Sequence, residues 1–528
     1  LHIIYEEINL HPSSVCERIF LPEKKELDAY DKTKTPLMSV ETQRPMHQFD
    51  VVAFDVTFEM DYFHIPLMLR YGRVPVMSED RTGFDPIVIA GGPCATFNPE
   101  PFADFIDAFI IGEGEGIVTA VLERIRKGRE NGESREETIS ALAQIDGVYV
   151  PVLYTPQYDD NKRFVGYDIA DGAPKIIRRH FEPLTSGGET VIATNFTEFG
   201  AMYIIEVARG CGRHCRFCMA GYCFRVPRVR PLDILKDGVD RAEKLGKKVG
   251  LMGAAISDYP EVDELVTYIR SKDMRYSCAS LRADSLTQAV VDGLAESGQK
   301  TITIAPETGS ERLRRVINKG ISEENLRTAS QLSAKSGIQH MRLYIMIGLP
   351  TETDEDIDAI VGLAERTQAH MAEVGCKGRL TLSINPFIPK PFTPFQWMAM
   401  DHQKSVEKKL QYIKKSLQKN RRIEVLVESP KEAYIQGVLA RGDRRLGKVL
   451  AACALDRGSK SFKSEMKKVG LDMDDCNYRE RKFEDYLPWS HLDMGLRNGY
   501  LEQEWQRAVD EAYTPPCMEG CKRCGVCK

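Results

Sequence analysis

Three cysteines within eight residues constrain this chain more than any other feature. They are Cys211, Cys215 and Cys218 in the run EVARGCGRHCRFCMAG. They follow the apolar stretch Tyr203–Ile205, which places them in a loop at a strand end. Thiolates spaced C-x3-C-x2-C can hold three irons of a [4Fe–4S] cube and leave the fourth open to a small molecule. The competing reading is structural zinc with His214 as fourth ligand. Zinc knuckles more often read C-x2-C, and a tetrahedral site leaves nothing open.

Composition narrows the setting. The 528 residues are 42% hydrophobic and 28% charged, as in a globular protein of two to four domains. No apolar run approaches the ~18 residues of a membrane span, and a cytoplasmic location is expected. A net charge of −5 gives no global pull toward nucleic acid. Half of the fourteen cysteines fall in two tight groups, which suits metal binding in a reducing compartment better than disulfides. The opening LHIIYEEINL reads as the middle of a helix, so the sequence is expected to lack a preceding strand and loop.

Four stretches follow in order. Residues 1–150 alternate strand and helix: FDVVAFDV, then Pro86–Ala90 ending in GGPCATFNPEP, then DAFIIGEGE and an apolar-striped helix from Ile117. That pattern predicts an open, Rossmann-like parallel sheet. Residues 151–196 are polar and turn-rich and predict a linker with a hairpin. Residues 197–400 repeat a strand–helix unit six times, with strands beginning near Tyr203, Val249, Tyr276, Thr301, Met341 and Leu380. Six such units make a partial (β/α)6 barrel, with its chemistry on loops at the C-terminal strand ends. Residues 401–528 read as an α-rich extension with a Cys-rich tail.

Motifs within the third stretch carry a resemblance. VGLMGAA, ASLRADSL, TIAPETGSERLRRVINKG, YIMIGLPTETDEDI and INPFIPKPFTPFQW stand in order behind the Cys loop at βα spacing. Together they resemble the radical S-adenosylmethionine family. The resemblance implies that the open iron binds S-adenosylmethionine and that one-electron cleavage gives a 5′-deoxyadenosyl radical. It also implies a flavodoxin- or ferredoxin-type electron donor. By the same match Gly253, Ala254 and Ala255 stand where the family often has Gly-Gly-Glu on the cofactor's amino group. Ser280 and Arg282 follow the third strand as further cofactor contacts, Glu307 stands near the ribose, and Gly348 lets the backbone approach the adenine. No catalytic side chain is singled out.

The N-terminal stretch resembles the cobalamin-binding domain that precedes this barrel in one branch, and the whole chain is most similar to a subfamily there with a C-terminal Cys cluster. Gly91 and Gly92 would let the backbone approach a cofactor. The Asp-x-His-x-x-Gly cobalt loop of that branch is not present, and His2 does not fit it. Two readings stay open: cobalamin bound without a His ligand, or a cofactor-free cover.

Cys517, Cys521, Cys524 and Cys527 form C-x3-C-x2-C-x2-C in the tail and suit a second [4Fe–4S] cluster or a zinc ion. Arg225, Arg228 and Arg230 either meet an anionic ligand or pair with acids on the barrel rim. The basic run with Lys404, Lys408, Lys409, Lys414 and Lys415 is a solvated helix face or an RNA contact. The expected function is radical modification of an unactivated carbon of an unknown substrate, with cobalamin-dependent methyl transfer as one form. The alternatives are methylthiotransferase-like sulfur insertion on RNA or protein, and a non-catalytic iron–sulfur protein that binds nucleic acid.

Overall fold

The computed structural model describes residues 1–278 and 281–527. They form two compact units. The first comprises Leu1, residues 3–182 and residues 435–495; the second comprises His2 and residues 183–434 and 496–528. No helix among the described residues is long and apolar enough to cross a membrane.

In the first unit β1 (Val51–Asp55), β2 (Ile87–Gly91) and β3 (Ala108–Ile110) run parallel, and β4 (Val148–Tyr149) joins β3 antiparallel. The open parallel sheet expected from the strand–helix alternation is therefore present. Ile87, Ile89, Ala108 and Ile110 face the helices Ile117–Glu130 and Arg135–Leu142 through Val121, Ile125, Ile139 and Leu142. A capping box at Ser134 and Glu137 starts the second of these helices. The hairpin pairs Tyr154–Tyr158 with Phe164–Ile169. Residues 435–495 belong here through a buried charge: Arg444 donates to both oxygens of Glu100 at 3.0 Å, and Tyr149 donates to Glu100 as well.

Among its described residues the second unit carries seven parallel strands in two sheets. The first sheet holds β5 (Met202–Glu206), β6 (Lys248–Met252) and β7 (Tyr276–Cys278), with β6 central. The second has the order β8 (Thr301–Glu307), β9 (His340–Ile347), β10 (Leu380–Pro386), β11 (Ile423–Val427). One apolar cluster underlies both sheets, from Tyr203 and Val249 through Leu343 and Leu382 to the helix residues Val406 and Leu410. The six strands read from the sequence are all there. The seventh, β11, lies in the stretch read as α-rich, because the long basic helix before it hid the short alternation of IEVLV. That helix, Gln403–Leu417, buries Val406, Leu410, Ile413 and Leu417. Of its cations, Lys409 pairs with Glu352 at 2.6 Å and Asp401 at 2.8 Å, while Lys404, Lys408, Lys414 and Lys415 are exposed.

Candidate functional site

The Cys211–Cys218 loop leaves β5 through a short ladder, Ala208–Arg209 against Arg228–Val229. Cys215 is buried, and Cys211 and Cys218 are half-buried. Burial pushes the Cys218 thiol up to about 12, and the charge it would share with Cys215 and Cys211 adds to the rise. Burial raises Cys215 as well; Lys319 and Arg282 act against it, Cys211 and Glu307 with it. Three thiols, two cations and one carboxylate thus influence one another at one place. The donor set is soft sulfur alone, which suits an iron–sulfur cluster. As placed, no three His, Cys, Asp or Glu side chains among the described residues converge tightly enough for a single ion.

Ion pairs at the following strand ends wall the loop. Arg213 donates to Asp258 at 2.7 and 2.8 Å and to Asp284 at 3.1 Å. Burial alone would raise Asp258, but hydrogen bonds from Arg213 and Ser285 hold it below the usual carboxylate range. Arg282 pairs with Asp284 at 2.9 and 3.0 Å, donates to the Lys319 carbonyl, and gives its N–H to Ser257 Oγ. Glu307 ends β8 at φ +70°, past a bulge that re-aims it, and accepts from Lys319 at 2.8 Å. Such a backbone conformation at a non-glycine costs on the order of 1–3 kcal/mol and concentrates at functional sites.

The remaining candidates lie at strand ends or elsewhere. Gly253 stands one residue past β6, where a side chain would press on the Ala208 carbonyl at 3.2 Å; Ala254 is exposed and Ala255 half-buried. Gly348 follows β9 at φ +78° and donates its N–H to Glu352. Ser280 lies outside the described residues. Gly91 and Gly92 are in the first unit: a side chain at Gly91 would make only ordinary contact with Ile110, one at Gly92 would strike Val56 O at 2.8 Å, and one at Gly112 would run into the His180 backbone. The two glycine turns meet there, Gly112 N–H donating to Thr96 Oγ1 at 3.0 Å.

His214 does not serve the three cysteines. It is fully buried, with Tyr500 Oη at 2.7 Å and Arg225 Nη2 at 2.8 Å from Nδ1. Burial and then the Arg225 charge drop its pKa to about 3. Of the three arginines behind the loop, Arg230 pairs with the rim acid Glu206 at 2.5 Å. Arg225 instead donates to the tail thiols, to Cys517 Sγ at 3.3 Å and Cys524 Sγ at 3.5 Å. The tail lies against the loop, Cys517 N–H donating to Gly212 O at 2.8 Å.

Sequence reasoning missed Arg213, Asp258, Asp284 and Lys319, because charged residues in four separate βα loops carry no spacing signal. It also missed the inner strand face. Met341, Leu343, Ile345, Leu380, Leu382 and Ile384 pack in the helix-facing core, so Arg342, Tyr344, Ser383 and Asn385 face the opposite side. Arg342 Nε and Asn385 Oδ1 are buried there without a hydrogen-bond partner.

Comparison with known proteins identifies the family by sequence. Residues 205–364 match the radical SAM superfamily, and residues 1–151 match the N-terminal domain of radical SAM proteins. The uncharacterized protein MJ0966 of Methanocaldococcus jannaschii is 32% identical over 426 residues, 80% of this chain and 85% of that one. An uncharacterized methyltransferase of Pyrococcus horikoshii, PH0819, is 26% identical over 54% of this chain and 59% of its own. A tRNA-2-methylthio-N(6)-dimethylallyladenosine synthase of Bordetella petrii is 23% identical over 41% of this chain and 48% of its own. The chain therefore spans about half the length of the last two. The cobalamin-dependent S-adenosylmethionine radical enzyme OxsB aligns over 77% of this chain and 58% of its own at TM-score 0.40 and 15% identity. With three cysteines at the end of the first of seven parallel strands, and family matches over both the loop-bearing region and the N-terminal one, the chain belongs to the radical SAM superfamily of S-adenosylmethionine-cleaving iron–sulfur enzymes.

Proposed function

We propose that Cys211, Cys215 and Cys218 hold the [4Fe–4S] cluster with which this enzyme modifies an unactivated carbon of a polar substrate. The observation that carries the reading is their place: one loop at the C-terminal end of β5, walled by ion pairs from the ends of later strands. When bound, cluster and S-adenosylmethionine supply a 5′-deoxyadenosyl radical that abstracts hydrogen from an unreactive C–H bond, at the expense of one electron from a flavodoxin- or ferredoxin-type donor.

The chain's own residues bind and orient. The backbone at Gly253, Ala254 and Ala255 receives the cofactor's amino group, Glu307 its ribose, and Gly348 its adenine. Arg282, held by Asp284, keeps a fixed positive charge beside Cys215. The unpartnered Arg342 and Asn385 atoms on the inner strand face offer hydrogen bonds to a polar, anion-bearing substrate. Cys517, Cys521, Cys524 and Cys527 hold a second [4Fe–4S] cluster. Cobalamin-dependent methyl transfer is the finer form of the reaction, supported by the methyltransferase description of the Pyrococcus relative. Sulfur insertion is disfavoured because residues 1–150 offer only Cys16 and Cys94 as ligands.

The test is formation of 5′-deoxyadenosine by the anaerobically reconstituted protein with a reductant. Loss of product in the Cys211→Ala, Cys215→Ala, Cys218→Ala triple variant is expected, and undiminished product would overturn the assignment. Titration with hydroxocobalamin separates the two N-terminal readings: a spectral change at tens of micromolar supports methyl transfer, and none at that level makes the domain a cover.

A further inference from the structure

Alternate residues of the Cys211–Cys218 loop face two ways. Gly212, His214 and Arg216 turn to the tail. Cys517 N–H donates to Gly212 O. Asn318 donates to the carbonyls of both His214 and Thr514, at 3.1 and 2.9 Å, and accepts from Thr514 N–H. Arg216, fully buried, donates to Glu504, the Ala512 carbonyl and Thr514 Oγ1. The loop that carries one cysteine group thus serves as the seat of the other.

Arg225 stands at the centre of that seat with 1% of its surface exposed. Its guanidinium contacts the Gly221 carbonyl, the His214 ring, the Tyr222 face and the two tail sulfurs, and no carboxylate among the described residues. A guanidinium is always charged, and burying it without an opposite charge costs several kcal/mol. The hydrogen bonds indicate where the negative charge belongs. The His214 ring lies between the arginine and the tail: Nδ1 is 2.8 Å from Arg225 Nη2 and 2.7 Å from Tyr500 Oη, and Nε2 is 3.2 Å from Arg225 Nη1. Nε2 lies 3.6 Å from Cys517 Sγ. Arg225 Nη1 thus sets one cation against both Cys517 Sγ and Cys524 Sγ, and a charged donor favours sulfur in its anionic form. Four thiolates around zinc or an iron–sulfur cube form an anionic centre, which is the partner Arg225 lacks.

We propose that Arg225 is the positioning residue of a thiolate-held metal centre at Cys517, Cys521, Cys524 and Cys527, and that this centre braces the Cys211–Cys218 loop. The inference rests on the reading of the tail as a metal site and adds to it a structural dependence of the first site on the second. Metal in the tail fixes Cys517 and Cys524 against Arg225, and the Gly212, His214 and Arg216 contacts then hold the loop in shape.

The experiment uses full-length, anaerobically reconstituted protein, with iron and zinc counted for each sample and hydrogen exchange followed in peptides spanning 208–226. Cys521→Ala removes a tail ligand without touching Arg225; Arg225→Gln removes the charge without touching a ligand; Arg225→Lys restores the charge. The first two variants are expected to lose the tail metal and speed exchange in the loop by about tenfold or more, while β5 is unchanged. Lys is expected to restore most of the protection. Cys521→Ala alone decides the matter if Arg225→Gln does not fold. Loss of tail metal with no change in loop exchange would overturn the bracing and leave the tail site standing. Wild-type protein whose metal is all accounted for by the first loop would overturn the tail site and the inference with it.

Discussion

The two cysteine groups of the second unit are built in opposite ways. Cys211, Cys215 and Cys218 are placed locally: a strand ends, the loop turns, and the ladder Ala208–Arg209 with Arg228–Val229 closes it. Cys517, Cys521, Cys524 and Cys527 have neither helix nor strand of their own among the described residues. Long-range partners hold the segment, Gly212, Asn318 and Arg216 for Cys517 and Thr514, and the Arg497 N–H for the Cys524 carbonyl. A site made at a strand end keeps its cysteines near one another when distant contacts are lost, even if the loop loosens; a site made of distant contacts does not. Damage to the first group should therefore stay local to it, and damage to the second should spread to the contacts that hold it.

The largest effect separates the two groups by chemistry. Cys215→Ala should abolish 5′-deoxyadenosine formation, with the tail metal still present by elemental analysis. If the tail metal leaves with it, the dependence runs in both directions and the contrast is broken. Next, deleting residues 515–527 should lower iron from about eight to about four per chain. A wild-type value near four iron and one zinc would keep the contrast but change the metal.

Arg216→Met sharpens the contrast in energy. It leaves Glu504 buried with only the more distant Arg507, at 3.9 Å, as a cation, and breaking a buried pair typically costs about 3–5 kcal/mol. The loss should appear as faster hydrogen exchange across residues 500–515, with strands β8–β10 unaffected. Adding Glu504→Leu should recover most of it, since a buried pair replaced by apolar groups is often close to neutral.

The smallest effect lies in the first unit and serves as a control without thiol ligands. Burial, and then the charge of Arg444, drops the pKa of His491 to about 3 from 6.5. Below pH 6.5 the unfolded chain takes up a proton that the folded one refuses. Stability is therefore complete above that pH and falls as the pH drops toward 3, by about 2 kcal/mol at pH 5. His491 packs among Tyr149, Tyr154 and Tyr167 with ring centroids 4.6, 5.7 and 4.8 Å away, so His491→Phe keeps the aromatic packing. Exchange in first-unit peptides should be less pH-dependent in that variant between pH 7 and 5. An unchanged slope would show that another group carries the acid response.

Much of this molecule was legible beforehand. The strands at Met202, Lys248, Tyr276, Thr301, His340 and Leu380 follow from short apolar runs separated by helical stripes, since each strand must turn an apolar face to the helices that cover it. The three-cysteine loop was legible because its cysteines lie within eight residues. The role of Gly92 was less so. Its positive φ suits glycine, but whether a ligand or the chain fills the space beside it is not written in the residue type; here Asp55 and Val56 fill it.

The sequence by itself determined the strand–helix order and the identity of both cysteine groups, because periodicity and spacing are local properties of a chain. Only the tertiary structure decided that residues 435–495 join the first unit, that IEVLV becomes a seventh strand, and that the tail rests on the loop through Arg225 and His214. The first and last of these turn on which buried charge finds which partner hundreds of residues away. Arg444 finds Glu100 and Arg216 finds Glu504, and the free energy of leaving either unpaired is settled by packing, which a linear pattern does not encode.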